Sequence, residues 1–132
     1  MFCVAYTIHI ENRHAHIIFS GRLTMPEISN AAMRLDQFEA EARESYHRLI
    51  DLTAVEDLEL NFSAVFQLTA ARRVVKLFNL VRTALVAESP VQFGIARMFQ
   101  TLNVQPQTEV GVFSDAESAL KWIAGAAENP AA

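Results

Sequence analysis

The chain has 132 residues, 52% of them hydrophobic and 20% charged, which fits one ordinary domain with a full core and excludes a disordered chain or a comfortable pair of domains. Its formal charge of −4 argues against a nucleic-acid binder that relies on broad phosphate attraction, and the lone cysteine, Cys3, cannot form an internal disulfide. No apolar run approaches the roughly 18 residues of a membrane span, and the N-terminus reads as a strand rather than a signal peptide, so a soluble cytoplasmic domain is expected.

The first segment alternates. Val4, Tyr6, Ile8 and Ile10 point one way and Ala5, Thr7, His9 and Glu11 the other, as in a half-buried strand. The polar interruption Glu11-Asn12-Arg13 and a second run from His14 to Ser20 predict a hairpin, which Gly21 ends. Thr24-Met25-Pro26-Glu27 is a capping box with proline in the first turn, and Ile28, Ala31, Leu35, Phe38 and Ala42 then recur at helical spacing. Tyr46 to Leu52 predicts a central strand feeding a loop, followed by a long helix from Asn61 or Ser63 to Asn79. Thr83 to Ala87 is a further strand. Ser89-Pro90 then opens a helix whose stripe is Val91, Ile95, Met98, Phe99 and Leu102. Gln105-Pro106-Gln107 breaks the pattern before a fifth strand, Val110 to Phe113. Ser114-Asp115-Ala116-Glu117 is a second capping box, for a last helix carrying Ala116, Ala119, Leu120 and Ile123 and ending at Gly125. The domain is expected to span residues 1–124, with a frayed tail over 125–132.

This order predicts an α/β domain: a mixed, mostly parallel sheet of about five strands, with an N-terminal hairpin and about four helices covering both faces. Ligands of such sheets bind beyond the carboxyl ends of the strands, here near Asp51 to Asn61, Glu88-Ser89 and Ser114-Asp115. The hairpin, Gly21-Arg22-Leu23-Thr24 before one helix, and Leu49-Ile50-Asp51-Leu52-Thr53-Ala54-Val55 before the next, resemble the STAS fold of anti-sigma-factor antagonists. Ala84-Leu85-Val86-Ala87, Phe93-Gly94-Ile95-Ala96-Arg97-Met98-Phe99, and Val112-Phe113-Ser114-Asp115 through Ala119-Leu120-Lys121-Trp122-Ile123 resemble its bacterial SpoIIAA-like (STAS/SEC14) branch. The resemblance runs from residue 4 to residue 124.

That resemblance implies a protein-interaction switch, whose phosphorylatable members carry a serine at the start of the second helix that a partner kinase modifies. Other relatives are regulatory domains on anion transporters or binders of apolar ligands. The family pattern is Asp-Leu-Ser-Gly followed by Asp-Ser-Ser-Gly. Asp51-Leu52-Thr53-Ala54 answers the first part, while Asn61-Phe62-Ser63-Ala64 answers the second with its aspartate and glycine lost. One alignment puts Ser63 at the phosphorylated position and the other puts Asn61 there.

Ser63 is the candidate phosphosite, because exposed amides and the helix dipole stabilise an anion at a helix N-terminus. Capping is its expected role. Asp51 is expected to orient the loop after its strand by accepting backbone N–H bonds. With Thr53, Asn61, Ser89 and Arg97 these residues form the expected interaction surface, Arg97 holding an anion or pairing with Asp115. Arg72, Arg73 and Lys76 read as solvated charge, and Phe113 and Trp122 as packing. A turn centred on Asn12-Arg13 puts His9, Glu11, His14 and His16 on one face, a set suited to zinc or another transition metal. A solvated strand surface explains the same alternation, so no metal is expected.

Enzyme signatures are absent, and glycines at 21, 94, 111 and 125 build no phosphate-cradling loop. The expectation is a non-catalytic regulatory or protein-interaction domain without a cofactor, its partner engaging the loop after Asp51 and the start of the next helix. The alternative is a carrier or sensor of a small apolar molecule. In the second helix, Phe66, Ala70, Val74 and Leu77 form a core stripe, while Leu68, Val75 and Phe78 fall on the opposite side. That second side calls for a neighbouring helix, a symmetric homodimer or an apolar ligand.

Overall fold

The computed structural model describes residues 6–128. In chain order the elements are β1 (Tyr6–Glu11), β2 (His14–Thr24), α1 (Met25–Ala42), β3 (His47–Glu59), α2 (Phe62–Arg73), β4 (Val81–Val86), α3 (Pro90–Leu102), β5 (Thr108–Phe113) and α4 (Ala116–Glu128). The five strands lie side by side in sequence order, β1 antiparallel to β2 and the rest parallel. Helices cover both faces, as expected. No helix among the described residues is long and apolar enough to cross a membrane.

Asn12 and Arg13 both adopt positive φ, 51° and 66°, the left-handed pair whose twist matches a tight hairpin. That turn sets Glu11 opposite His14 and His9 opposite His16, the register the alternation predicts. Gly21 does not end β2. It takes φ +69° within the strand, which glycine does without steric penalty, and β2 runs on to Thr24.

β3 likewise continues past Leu52, so the loop expected after Asp51 is strand. β3 carries an extra residue between Asp51 and Ala54, and another between Val55 and Asp57, relative to its partner β2. Beyond Asp51, where pairing with β4 stops, β2 and β3 form a two-stranded arm. Arg22 reaches Asp57 at 3.2 Å and Glu59 at 3.8 Å across it, which places the acidic run in the sheet.

The main core lies between the inner face of the sheet and α1, α2 and α3. Ile17, Phe19, Leu35, Leu52, Leu85 and Ile95 are among its residues. The stripe expected of α1 holds at Ala31 and Leu35, but Phe38 and Ala42 are exposed, as is Val91 on α3. α4 covers the other face over β3, β4 and β5, packing Ala119 and Ile123 on Leu49, Ala84 and Val86, with Phe113 and Trp122 at the edge. The expected packing role of these two aromatics holds. Their rings lie 5.3 Å apart, and the Arg82 guanidinium sits 4.9 Å from the Trp122 ring.

Two helix boundaries differ from expectation. α2 stops at Arg73 rather than Asn79, because the Gln105 side chain donates to the carbonyls of Arg72 (3.1 Å) and Val75 (2.6 Å) at its end. Val74, Val75, Lys76, Leu77, Phe78 and Asn79 therefore leave the helix. Phe66 is 52% exposed and Val74 83%, while Val65 and Thr69 face the core, so the two-sided apolar helix inferred for a dimer does not form. α4 begins after Asp115, whose Oδ1 accepts from the Ser118 N–H at 2.7 Å, so Asp115 rather than Ser114 is the cap. The helix passes through Gly125, expected to end it, and runs to Glu128. Residues 1–5 and 129–132, which include Val4, Ala5 and Cys3, lie outside the described residues.

Candidate functional site

Three of the expected site residues meet where the parallel strands end. Asp51, paired across the sheet with Ile18 and Val86, accepts from the Thr53 N–H (2.9 Å) and hydroxyl (2.6 Å) through Oδ1. It does fix backbone, but at the β3 irregularity rather than in a loop. β4 is too short to pair with the carbonyls of Thr53 and Val55, and Gln92 of α3 takes both through Nε2, at 3.4 and 2.8 Å. Its Oε1 accepts from the N–H groups of Glu88 (2.8 Å) and Ser89 (3.1 Å), while Ser89 Oγ accepts from Gln92 N–H at 3.2 Å. Gln92 is the residue missed here. The sequence signal was its place three after Ser89, which completes a capping box.

The remaining expected residues stand apart from this group. Asn61 caps α2, accepting from the Ala64 N–H at 2.8 Å, so the cap assigned to Ser63 belongs to Asn61. Ser63 is exposed in the first turn. Arg97 is exposed and donates to Gln100 at 3.1 Å; Asp115, its expected partner, is spent on Ser118. Accepting from Ser118 holds the Asp115 carboxyl below its ordinary value.

Between the inner sheet face and α1–α3 lies a cavity of about 180 Å³. Leu23, Leu35, Leu52, Leu85, Ile95 and Phe99 supply apolar wall, and the small residues Ala31, Ala32 and Thr69 on the facing helices leave it open. An apolar cavity of roughly 150 Å³ is enough to take benzene. One end is polar and carries Arg48, Thr83 and Thr108, near the starts of β3, β4 and β5. That is the end of the sheet opposite the one the topology points to.

Both guanidinium groups lining the cavity are neutralised. Arg48 Nη2 lies 2.9 Å from each oxygen of the buried Glu39 carboxylate, which also accepts from the Tyr46 N–H at 2.7 Å. Arg72 forks onto Asp36 at 2.6 and 3.0 Å, tying α2 to α1, so it is not the solvated charge expected. Glu39 had a visible signal: it falls four residues after Leu35, on the buried side of α1.

All four histidines share the outer face of β1, β2 and β3, because parallel pairing sets His47 beside His14. His14 and His47 meet edge-on with ring centres 6.2 Å apart, and His9 reaches Glu11 at 3.4 Å. His47 Nδ1 accepts from the Arg82 N–H at 3.0 Å. Burial, then His14, Arg82 and Arg48, hold the His47 pKa below its ordinary value, with Glu44 acting the other way. His16 Nε2 is buried without a hydrogen-bond partner among the described residues. Among the described residues no group of three or more His, Cys, Asp or Glu side chains is placed to hold a metal ion.

No family model and no curated protein matches the chain. Among solved structures it is similar to an uncharacterised protein of the DUF3478 family from Shewanella loihica PV-4, described as having a SpoIIAA-like fold. The two are 21% identical, the similarity covers 90% of this chain and 92% of that one, and the TM-score is 0.60. The chain therefore has a SpoIIAA-like α/β fold, as the sequence resemblance implied.

Proposed function

We propose that this SpoIIAA-like domain binds a small apolar molecule in the cavity beneath α1, α2 and α3, acting as a carrier or sensor. The cavity itself carries the reading: apolar walls at a volume of about 180 Å³ match a guest of benzene to ethylbenzene size. The proposed role is non-catalytic, since the two guanidinium groups lining the cavity are already paired with carboxylates. The cytoplasm is the compartment we propose, because a core of this size with a single cysteine calls for no oxidising environment.

Titration with toluene, followed through the methyl resonances of Leu52, Leu85 and Ile95, tests the reading. A guest of seven heavy atoms should saturate with a Kd on the order of 0.1–1 mM. Filling the space with Ala32→Leu should abolish the shifts in a folded protein. Unchanged methyl signals at about 5 mM toluene would overturn it.

A second reading, a protein-interaction domain, is favoured by one surface feature. Phe62 and Phe66, 59% and 52% exposed, stack at 6.1 Å on α2 around the exposed Ser63. A partner protein or a second copy would cover this pair, and a phosphate on Ser63 would disrupt the contact. Light scattering at about 100 μM, far above a micromolar Kd, tests self-association. A dimer that Phe66→Glu dissociates without unfolding supports it, and a monomer at every concentration removes the homodimer.

A further inference from the structure

The polar end of the cavity restricts what kind of molecule fits it, and the argument rests on the cavity reading above. Thr83 lies on the inner face of β4, in register with Arg48 on β3 and Val110 on β5. It is only 8% exposed and lines the cavity, and its hydroxyl has no hydrogen-bond partner among the described residues. Arg48, also 8% exposed, spends Nε on the Tyr46 carbonyl and Nη2 on Glu39, while Nη1 donates to nothing among the described residues. A guest oxygen at this end would find a hydroxyl and a guanidinium on neighbouring strands, each able to donate a hydrogen bond to it.

Charge decides the rest. Arg48 is balanced by Glu39 and Arg72 by Asp36, so the lining holds two closed ion pairs and no spare cation. A carboxylate entering the cavity would be a buried charge without a counter-ion. We infer that the cavity selects an uncharged molecule of about eight heavy atoms in all, an apolar body with one oxygen head, a hydroxyl or carbonyl, seated against Thr83 Oγ1 and Arg48 Nη1. The body lies among Leu52, Leu85 and Ile95, and the head points toward the amino ends of the strands.

Ethylbenzene, benzyl alcohol and benzoate are probes of nearly equal shape that differ at the head. Each is titrated into the wild type, Thr83→Val and Thr83→Ser. Expected results are that ethylbenzene and benzyl alcohol bind the wild type and benzoate does not. Thr83→Val should weaken benzyl alcohol by about fivefold to tenfold, the worth of one buried hydrogen bond, and leave ethylbenzene within about twofold of its wild-type affinity. Thr83→Ser should restore the alcohol.

Failure of both uncharged probes to bind would remove the cavity reading and this inference with it. Binding of both, with their ratio the same in all three proteins, would leave the cavity reading intact and overturn the oxygen head. Benzoate binding at least as tightly as benzyl alcohol would overturn the uncharged class. Should Thr83→Val not fold, nuclear Overhauser contacts in the wild type decide the matter. The alcohol's methylene must lie against the Thr83 methyl, and a pose with the phenyl ring there would overturn the inference.

Discussion

Glu39 is a carboxylate inside the core whose two oxygens both accept from Arg48, one of them also from the Tyr46 N–H. Truncating one member of such a pair leaves the other charge buried alone, so Glu39→Ala should cost about 3–5 kcal/mol in urea denaturation. The double variant Glu39→Leu with Arg48→Met should recover most of that loss. A smaller lever sits at the start of α2. Asn61→Ala should cost about 1 kcal/mol through the lost cap, whereas Ser63→Ala, which removes no cap, should stay within roughly 0.5 kcal/mol. His47 gives the fold a pH dependence. Its folded pKa lies below the ordinary 6.5, so as pH falls the unfolded chain takes up the proton first. The associated stability is complete above 6.5 and is lost as pH falls below that value toward the depressed folded pKa. Tm should fall from about pH 7.5 to pH 5, and His47→Gln, which keeps an acceptor for the Arg82 N–H, should flatten that slope.

At the scale of elements, side-chain amides close what the backbone leaves open. Gln105 ends α2, and Gln107 pairs with both the N–H and the carbonyl of Leu77, each at 2.9 Å. Asn79 and Ser45 bind the next stretch through three contacts of 2.9 to 3.0 Å. The segment from Val74 to Leu80 thus runs in extended and turn conformation to β4. Gln105→Ala leaves the Val75 carbonyl without its donor and the Arg72 carbonyl with only the Val75 N–H, and should cost about 1–3 kcal/mol, read by thermal unfolding. Hydrogen exchange should quicken most from Arg73 to Leu77. This is where local pattern reading stopped short. Val74, Leu77 and Phe78 continue the helical spacing of α2, and what ends the helix is an amide reaching from more than thirty residues downstream. The β2–β3 arm follows the same logic, since residues that read as a polar loop pair with a neighbouring strand and salt-bridge to Arg22.

At the scale of the molecule, one sheet separates two different faces. Three helices close the inner face around a cavity, and α4 covers part of the outer face, leaving the histidines of β1 and β2 beside it. A guest that binds only the folded state stabilises it, so toluene at about ten times its Kd should add about 1.4 kcal/mol and raise Tm by roughly 5 °C. No rise under those conditions would count against occupancy of the cavity. The element order, the hairpin register and the α/β class were legible in the sequence, because alternation, capping boxes and helical spacing are local and the Asn12-Arg13 turn fixes its own pairing. Ser89 was legible as a helix cap for the same reason, whereas Asp51, read as the end of a strand, lies inside β3 because the pairing with β2 carries that strand on to Glu59. The cavity was not, because it is a space between elements. It exists where Ala31, Ala32 and Thr69 face the sheet across a gap, and its polar end is assembled from Arg48, Thr83 and Thr108 on three strands. Residues far apart in the chain acquire a joint chemistry only when parallel pairing sets them side by side, and long-range pairing was decided by the tertiary structure.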